Sequence, residues 1–400
     1  MADEDAEGTW MTDGALTRLD GPGSGGTETA DQLRVLHVVV QAGPTNSQWN
    51  EHCLPVADER RLVVCSLFPA TVPEDRRIER FEGDGTKRGA LAVLRQTLRR
   101  GGYDLVHVHA PASAALLIAA CALEHRTRSD IVFTLHTSWR IARPRNRWLA
   151  AAAIRAFPYP VCVSRSAAES VPTWVRRLAG QPLAVVPNGV DVDRIDRARS
   201  GPFVDQSRDP ESGLTFVTVG RLIPIKNHAT VLRAFAKFAG WDDRLLVIGD
   251  GPIREELEQL NRSLGIEDRV KMLGLVPRDE VYRLLAAADA FVSSSHGEGL
   301  PVGVLEAMAA ELPVVLSDIA PHREIVESTP GATLVAPDDV TALADAMSRL
   351  RDTDLSARRA AGRSARRTVV DRFGLRSMAA GYDDVYAGVA AAGALLKENS

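Results

Sequence analysis

LTFVTVGRLIPIKN, Leu214 to Asn227, is where an alternation of strands and helices begins again in the second half of the chain. Leu214 to Val219 is a β-branched and aromatic run that reads as a buried strand. Gly220 ends it, and a loop punctuated by Pro224 and Asn227 leads into helical residues His228 to Ala239. The same rhythm continues through RLLVIGDGP, IREELEQLNRSLG, RVKMLGLV, RDEVYRLLAAAD, AFVSSS, the helix holding Glu306, PVVLSDI and TLVAP. Short buried strands separated by helices imply a parallel sheet covered on both faces.

Upstream, the pattern is already present once. LRVLHVVV, LVVCSLF, RGALAVLRQTLRR, YDLVHVHA, ASAALLIAACALEH, DIVFTLHT, NRWLAAAAIRAF, PVCVS and LAVVPNG alternate in the same way. The fold class is therefore α/β, with two doubly wound Rossmann-like domains facing across a cleft. The halves share no period or motif, so the chain is not a short-repeat solenoid. Between them GVDVDRIDRARSGPFVDQSRDPESG loses periodicity and reads as a linker. The expected division is a disordered, acidic, Gly/Ser-rich leader over 1–31, a first domain over 32–205 and a second over 206–372. A helical stretch over 373–400, with Tyr382 and Tyr386, would pack outside or cross back to the first domain. Met11 is a second candidate start.

Composition sets the frame. With 45% hydrophobic and 25% charged residues in 400, there is material for two cores. A net charge of -4 gives no overall bias toward nucleic acid. Cys53, Cys65, Cys121 and Cys162 lack metal-binding spacing, which points to a reducing compartment and no structural zinc. No apolar run reaches the ~18 residues of a membrane span, and the N-terminus carries acids where a secretory signal carries bases. A cytoplasmic location is expected.

In open α/β sheets ligands bind beyond the carboxyl ends of the strands, so unusual strand-to-helix turns are the candidates. In GRLIPIKN, Arg221 and Lys226 beside Gly220 suit a diphosphate, the Arg as a planar fork and the Lys as a point charge. Two solvated surface cations is the plainer alternative. GDGP, Gly249 to Pro252, would admit a ligand close to the backbone, but such turns are common. In HGEGLPVGVLEAM, His296 to Met308, the glycines and Pro301 keep Glu298 in a loop at a helix start, where free N–H groups favour a phosphate. Glu306 lies inside an apolar helix. A buried carboxylate needs donors, which sugar hydroxyls or an internal Arg would supply.

Glu298-x7-Glu306 with EAMA, followed by PVVLSD and EIV and preceded by GR-x4-K, resembles the retaining family-4 glycosyltransferases (glycosyl transferases group 1) with the GT-B fold. The match runs from about Leu33 to the C-terminal helices. The resemblance implies transfer from a nucleoside-diphosphate sugar to a glycan or lipid-linked acceptor in cell-surface polysaccharide or glycolipid synthesis, with no cofactor and no metal. It places Arg221 and Lys226 on the diphosphate and Glu306 on the ribose. Glu298 falls on the donor sugar, with the backbone of Gly299, Leu300 and Pro301 beside phosphate and sugar. In FTLHTS, His136 matches the histidine that lies against the transferred sugar. His107 and His109 in VHVHAP share one sheet face and read as core or cleft wall, and Asp191-x-Asp193 is not a metal pair.

Three departures mark a subgroup. The Gly-rich loop after the first strand is QAGPTNSQWNEH, which keeps Gly43 but not the glycine pair; EGLP replaces EGFG; Glu311 stands where glycine is frequent. Separately, Ile131 to Ala168 holds six arginines and no acid. Arg140, Arg143, Arg145 and Arg147 lie within WRIARPRNRW between Trp139 and Trp148. This stretch would hold a lipid-phosphate acceptor or touch an anionic membrane, or else is a solvated helix entrance. An acid and nucleophile pair as in a glycosidase needs two carboxyls facing one bond, against a loop and a buried helix here. LHVVVQAGPTNS lacks the G-x-G-x-x-G of a dinucleotide enzyme. A catalytically silent GT-B protein that binds a ligand or partner is the remaining alternative.

Overall fold

The computed structural model describes residues 33–44, 46, 48–58, 60–200, 213–240 and 242–398, with side chains to Gly393. The leader expected over 1–31 and the middle of the expected linker, 201–212, lie outside the described residues.

The first half contains strands β1 (Arg34–Val39), β2 (Arg61–Ser66), β3 (Glu79–Glu82), β4 (Leu105–His109), β5 (Ile131–Leu135), β6 (Tyr159–Cys162) and β7 (Ala184–Val185). Its helices are α1 (Lys87–Arg100), α2 (Pro111–Leu123), α3 (Pro144–Ala156), α4 (Arg165–Ser170) and α5 (Thr173–Arg176). All seven strands are parallel, in the order β3-β2-β1-β4-β5-β6-β7. Strands β4 and β5 are buried at every residue, the mark of a sheet covered on both faces. The edge strand β3, ERFE, is not legible as a strand because it carries three charges and no residue is fully buried.

After α6 (Val192–Arg199), the second half contains β8 (Thr215–Val219), α7 (His228–Phe238), β9 (Arg244–Ile248), α8 (Arg254–Ser263), β10 (Val270–Gly274), α9 (Arg278–Ala286) and β11 (Ala290–Ser293). Then come α10 (Val302–Ala309), β12 (Val314–Ser317), α11 (Ala320–Val326), β13 (Thr333–Val335), α12 (Val340–Asp352), α13 (Leu355–Arg372) and α14 (Leu375–Glu398). The second sheet is again parallel, β10-β9-β8-β11-β12-β13. In each sheet the order in which successive strands are added reverses once, between β1 and β4 and between β8 and β11. Beyond the carboxyl ends at those two points neighbouring helices diverge and leave a crevice.

One expectation needs correction. The segment read as an aperiodic linker contains α6, started by the Asp191 side chain, which accepts from the Arg194 N–H at 2.8 Å. Ile195 is fully buried with Leu285, Leu305 and Leu312, so α6 packs with the second sheet although the expected boundary falls at 205. Helix α14 lies on the first sheet. Met378, Tyr382, Tyr386 and Val389 are buried with Val35, Val39, Trp49 and Leu62, and Arg60 pairs with Asp383.

Candidate functional site

At the second switch point the β8 end, the turn after β9 and the N-terminal part of α9 enclose a cavity of about 680 Å³. Gly220, Arg221, Arg278 and Glu306 line it, and Pro44 reaches it from the first domain. Arg221 is exposed and its side chain makes no ion pair among the described residues. The GDGP turn serves mainly to bring backbones together. A Cβ on Gly249, where φ is +138°, would lie 1.9 Å from the Gly220 carbonyl oxygen, and one on Gly251 would lie 2.3 Å from that of Leu222.

Lys226 closes a short 3-10 turn, Pro224–Lys226. Its Nζ donates to both oxygens of Glu298 at 2.7 and 2.8 Å. Sequence reasoning put the two residues on different parts of one ligand; the structure joins them as an ion pair. Glu298 sits in the Gly297–Pro301 loop ahead of α10, as its glycines and proline require. That loop rests on the first domain. Ser164 Oγ donates to the Gly299 carbonyl at 2.8 Å, and Asn188 Nδ2 donates to that of Leu300 at 3.2 Å. A Cβ on Gly299 would meet the His136 carbonyl oxygen at 2.1 Å, so only glycine permits the approach. The carbonyls of Gly299 and Leu300 are thus spent on the domain contact. Ser164 and Asn188 were missed, because small polar residues at strand ends carry no signal of partners so distant in sequence.

Glu306 is buried, and its internal partner is an arginine. Arg278 Nη2, at the start of α9, lies 2.6 Å from Glu306 Oε1, and the Tyr282 hydroxyl donates to the same oxygen at 3.2 Å. Arg278 Nη2 also donates to Glu51 Oε1 at 2.7 Å, and Arg278 Nε donates to the Tyr282 hydroxyl at 2.9 Å. Burial pushes the Glu51 carboxyl up to about 7, against the pull of Arg278, with Glu306 adding to the rise. Glu298 and Glu306 are each held by their own cation, which does not suit an acid and nucleophile pair.

His136 follows β5 in a wall of closely packed imidazoles. His109 Nδ1 lies 3.0 Å from His136 Nε2, and His109 Nε2 lies 3.1 Å from His37 Nδ1. His107 bonds the Tyr386 hydroxyl at 2.7 Å and Thr134 Oγ1 at 2.8 Å. Burial lowers His136 to about 4 and His37 to about 3, so the rings are neutral near pH 7. Two triads, His37, His107, His109 and His52, His109, His136, have ring nitrogens within 4.8 Å of one another, close enough for a metal ion. In each triad His109 already has both nitrogens hydrogen-bonded within the wall.

The arginine stretch is divided. Arg147 donates to the Trp139 carbonyl at 2.9 Å and to that of Arg140 at 2.6 Å, so it fastens the loop before α3. Trp139 packs on the first core instead of flanking a surface. Arg140, Arg143 and Arg145 are exposed. Trp148 is 70% exposed and its neighbour is Trp174, 50% exposed, with ring centroids 6.2 Å apart. Trp174 was missed, since its solvated position on α5 follows only from the fold. Among the described residues no helix is long and apolar enough to cross a membrane.

Comparison with known proteins bears on both halves. The family description "Glycosyl transferases group 1" matches residues 203–368, and "Glycosyltransferase Family 4" matches residues 60–194. The UDP-Gal:alpha-D-GlcNAc-diphosphoundecaprenol alpha-1,3-galactosyltransferase of Escherichia coli is 25% identical over 282 residues, 66% of this chain and 70% of that protein. The 2-deoxystreptamine glucosyltransferase of Streptomyces kanamyceticus is 29% identical over 310 residues, 72% of this chain and 79% of that protein. Among solved structures, Anabaena HepE in complex with UDP and glucose superposes with a TM-score of 0.72 at 19% identity, covering 89% of this chain and 100% of that one. That likeness speaks for the fold.

Proposed function

Because the chain belongs to the group 1 and family 4 glycosyltransferases with the GT-B fold, we propose that it moves a sugar, with retention of anomeric configuration, from a nucleoside-diphosphate sugar to a glycan or lipid-linked acceptor. The observation that carries this reading is the 680 Å³ cavity at the second switch point, walled by Arg221, Glu306 and Arg278. A diphosphate held by Arg221 and Lys226 places a ribose toward Glu306 and a sugar toward Glu298 and His136. The reacting bond then lies in the cleft between the domains.

Transfer builds positive charge on the sugar ring and negative charge on the departing diphosphate. Fixed cations at the leaving group lower that barrier, so Arg221 and Lys226 supply the main electrostatic stabilisation and no metal is assigned a role. The acceptor hydroxyl attacks the anomeric carbon on the face the diphosphate leaves. Its proton passes to a leaving phosphate oxygen, the bond to the diphosphate breaks and the new glycosidic bond forms. His136, a neutral ring, orients a sugar hydroxyl. Glu298, released from Lys226 by the diphosphate, faces the developing positive charge.

The Escherichia coli relative is named for a sugar on diphosphoundecaprenol. The exposed Trp148 and Trp174 beside Arg143 and Arg145 favour a lipid-linked acceptor here and contact with an anionic membrane. Cell-surface polysaccharide or glycolipid synthesis on the cytoplasmic face is the corresponding setting. A donor screen that reads released nucleoside diphosphate tests the activity. If neither UDP- nor GDP-sugars protected the protein thermally and Lys226→Ala changed nothing, the reading would fall. Flotation with anionic liposomes tests the membrane contact, which Arg143→Ala with Arg145→Ala and Trp148→Ala should weaken.

A further inference from the structure

The first-domain loop after β1, the part of the chain that departs most from the family pattern, has no place in the reaction as described. Its structure gives it one. Residues Gln48–Cys53 form a wide, π-type helical turn. Trp49 and Cys53 anchor it in the core shared by β1 and α14. Asn50 Nδ2 ties its entry by donating to the carbonyls of Gly43, Pro44 and Asn46 at 3.2, 3.2 and 2.8 Å. So held, Glu51 points out of the first domain and meets Arg278 of the second at 2.7 Å.

Arg278 is the middle member of a chain of three. A single guanidinium nitrogen, Nη2, meets Glu51 at 2.7 Å and Glu306 at 2.6 Å, and the Tyr282 hydroxyl bridges Arg278 and Glu306. The side chains of Glu51 and Glu306 are 4% and 6% exposed and that of Arg278 is 14% exposed, so bulk water screens little of this charge. One cation between two buried carboxylates is an arrangement in which loss of either acid changes how the cation holds the other. Arg278 and Glu306 line the donor cavity, and so does Pro44 from the same first-domain loop. The loop therefore both walls the cavity and grips the residue that orients its carboxylate.

We propose that Glu51 is a positioning residue for the donor: through Arg278 it sets the Glu306 carboxylate that receives the ribose, and so makes nucleotide affinity in the second domain depend on a loop of the first. The inference rests on the reading of Glu306 as the ribose partner. It gives Arg278 a place in the donor site, since a hydroxyl that donates to Glu306 Oε1 lies within reach of a guanidinium already bonded to that oxygen. It also gives the altered loop a purpose. Where backbone glycines would have approached the ligand, an acid acts on the ligand's partner.

Coupling is reciprocal, and that supplies the test. UDP, with GDP in parallel, is titrated calorimetrically at pH 8, above the value of about 7 to which burial pushes Glu51, into the wild-type chain and into Glu51→Gln, Arg278→Lys and the double variant. Hydrogen exchange of residues 44–57 is followed with and without nucleotide. Gln is isosteric with Glu and keeps the fold, and the Lys variant retains a cation should the first variant be poorly soluble. The expected result is a dissociation constant raised on the order of tenfold in Glu51→Gln. The double variant should be no worse than Arg278→Lys alone, and nucleotide-induced protection of 44–57 should occur in the wild type but not in Glu51→Gln. Unchanged nucleotide affinity and the same protection in both single variants would overturn the inference and leave the proposed function standing. A wild-type chain that binds neither nucleotide would remove both.

Discussion

Lys226 Nζ lies within hydrogen-bonding distance of both carboxylate oxygens of Glu298, at 2.7 and 2.8 Å, where the Gly297–Pro301 loop of the second domain rests on the first. Each residue thereby occupies the group its partner would offer a donor. The carboxylate competes with a diphosphate for the ammonium, and release of the carboxylate coincides with arrival of the sugar it would face. The pair thus links leaving-group binding to the presentation of Glu298.

Glu298→Gln should therefore separate binding from transfer. With the competitor neutral, a nucleoside diphosphate should bind about fivefold more tightly, the worth of roughly 1 kcal/mol for a partly accessible pair. The transfer rate should nevertheless fall by roughly 10²- to 10³-fold, the usual loss when a charge-stabilising group is removed. Calorimetry with UDP or GDP and an assay of released nucleotide measure the two quantities. Weaker binding in this variant would count against the competition.

Glu311 is a second departure with a physical account. Its φ of +65° is in the left-handed region, where glycine is the usual choice. Its carboxylate meets Arg199 at 3.0 Å and Arg366 at 3.8 Å, linking α6 and α13 to the turn after α10. Glu311→Ala loses both ion pairs and keeps the backbone cost, whereas Glu311→Gly loses the pairs and removes it. Urea unfolding should find the glycine variant more stable than the alanine variant by about 1 kcal/mol.

How much of this was legible in the sequence depends on the range of the signal. Strands such as β9, RLLVI, and β12, VVLS, could be read because buried parallel strands are near-continuous apolar runs. Helix α6 was lost because its three apolar residues, Val192, Ile195 and Ala198, are outnumbered by five charged ones and are covered only when α9 and α10 pack on them. Glu298 and Glu306 could be placed because Pro301 and the flanking glycines decide locally which is loop and which is helix. The partner of Glu51 could not be read. Arg278 is 227 positions away, and only the folding of both domains and an irregular turn brings the two together. The exposed tryptophan beside the arginines is paired with Trp174, not Trp139, for the same reason.

Gly299 supplies a local test of the domain contact. With a Cβ 2.1 Å from the His136 carbonyl oxygen, Gly299→Ala must push the loop off the first domain and break its bond from Ser164. Such overpacking costs roughly 1–3 kcal/mol, visible as a lowered Tm. The cavity wall of the second domain is untouched, so nucleotide affinity should change less than kcat. A variant with wild-type kcat would show that the contact with His136 is dispensable.

The imidazole wall predicts an acid limit on stability. His37, His52, His107, His109 and His136 of the wall, and His228 and His322 in the second domain, are largely withdrawn from solvent, and burial lowers the pKa of each. His37 falls to about 3 and His228 to about 4. An unfolded chain takes up protons on these rings below its ordinary value near 6.5 while the folded chain does not. Their stabilisation is therefore complete well above pH 6.5, begins to fall as the pH approaches that value and is lost below it by up to ~1.4 kcal/mol per pH unit for each ring. Glu51 acts in the opposite sense. Its carboxyl is pushed up to about 7, so the folded chain holds a proton that the unfolded chain has lost, and its contribution weakens as the pH rises through that range. One carboxyl does not offset seven rings. Urea unfolding at pH 7.5, 6.5 and 5.5 should show a loss of about 1–2 kcal/mol over the first step and of several kcal/mol over the second. His107→Asn, which keeps polar atoms near Tyr386 and Thr134 but cannot take up a proton, should flatten that second step by about 1 kcal/mol. An unchanged slope would mean that His107 is not among the groups that titrate on unfolding.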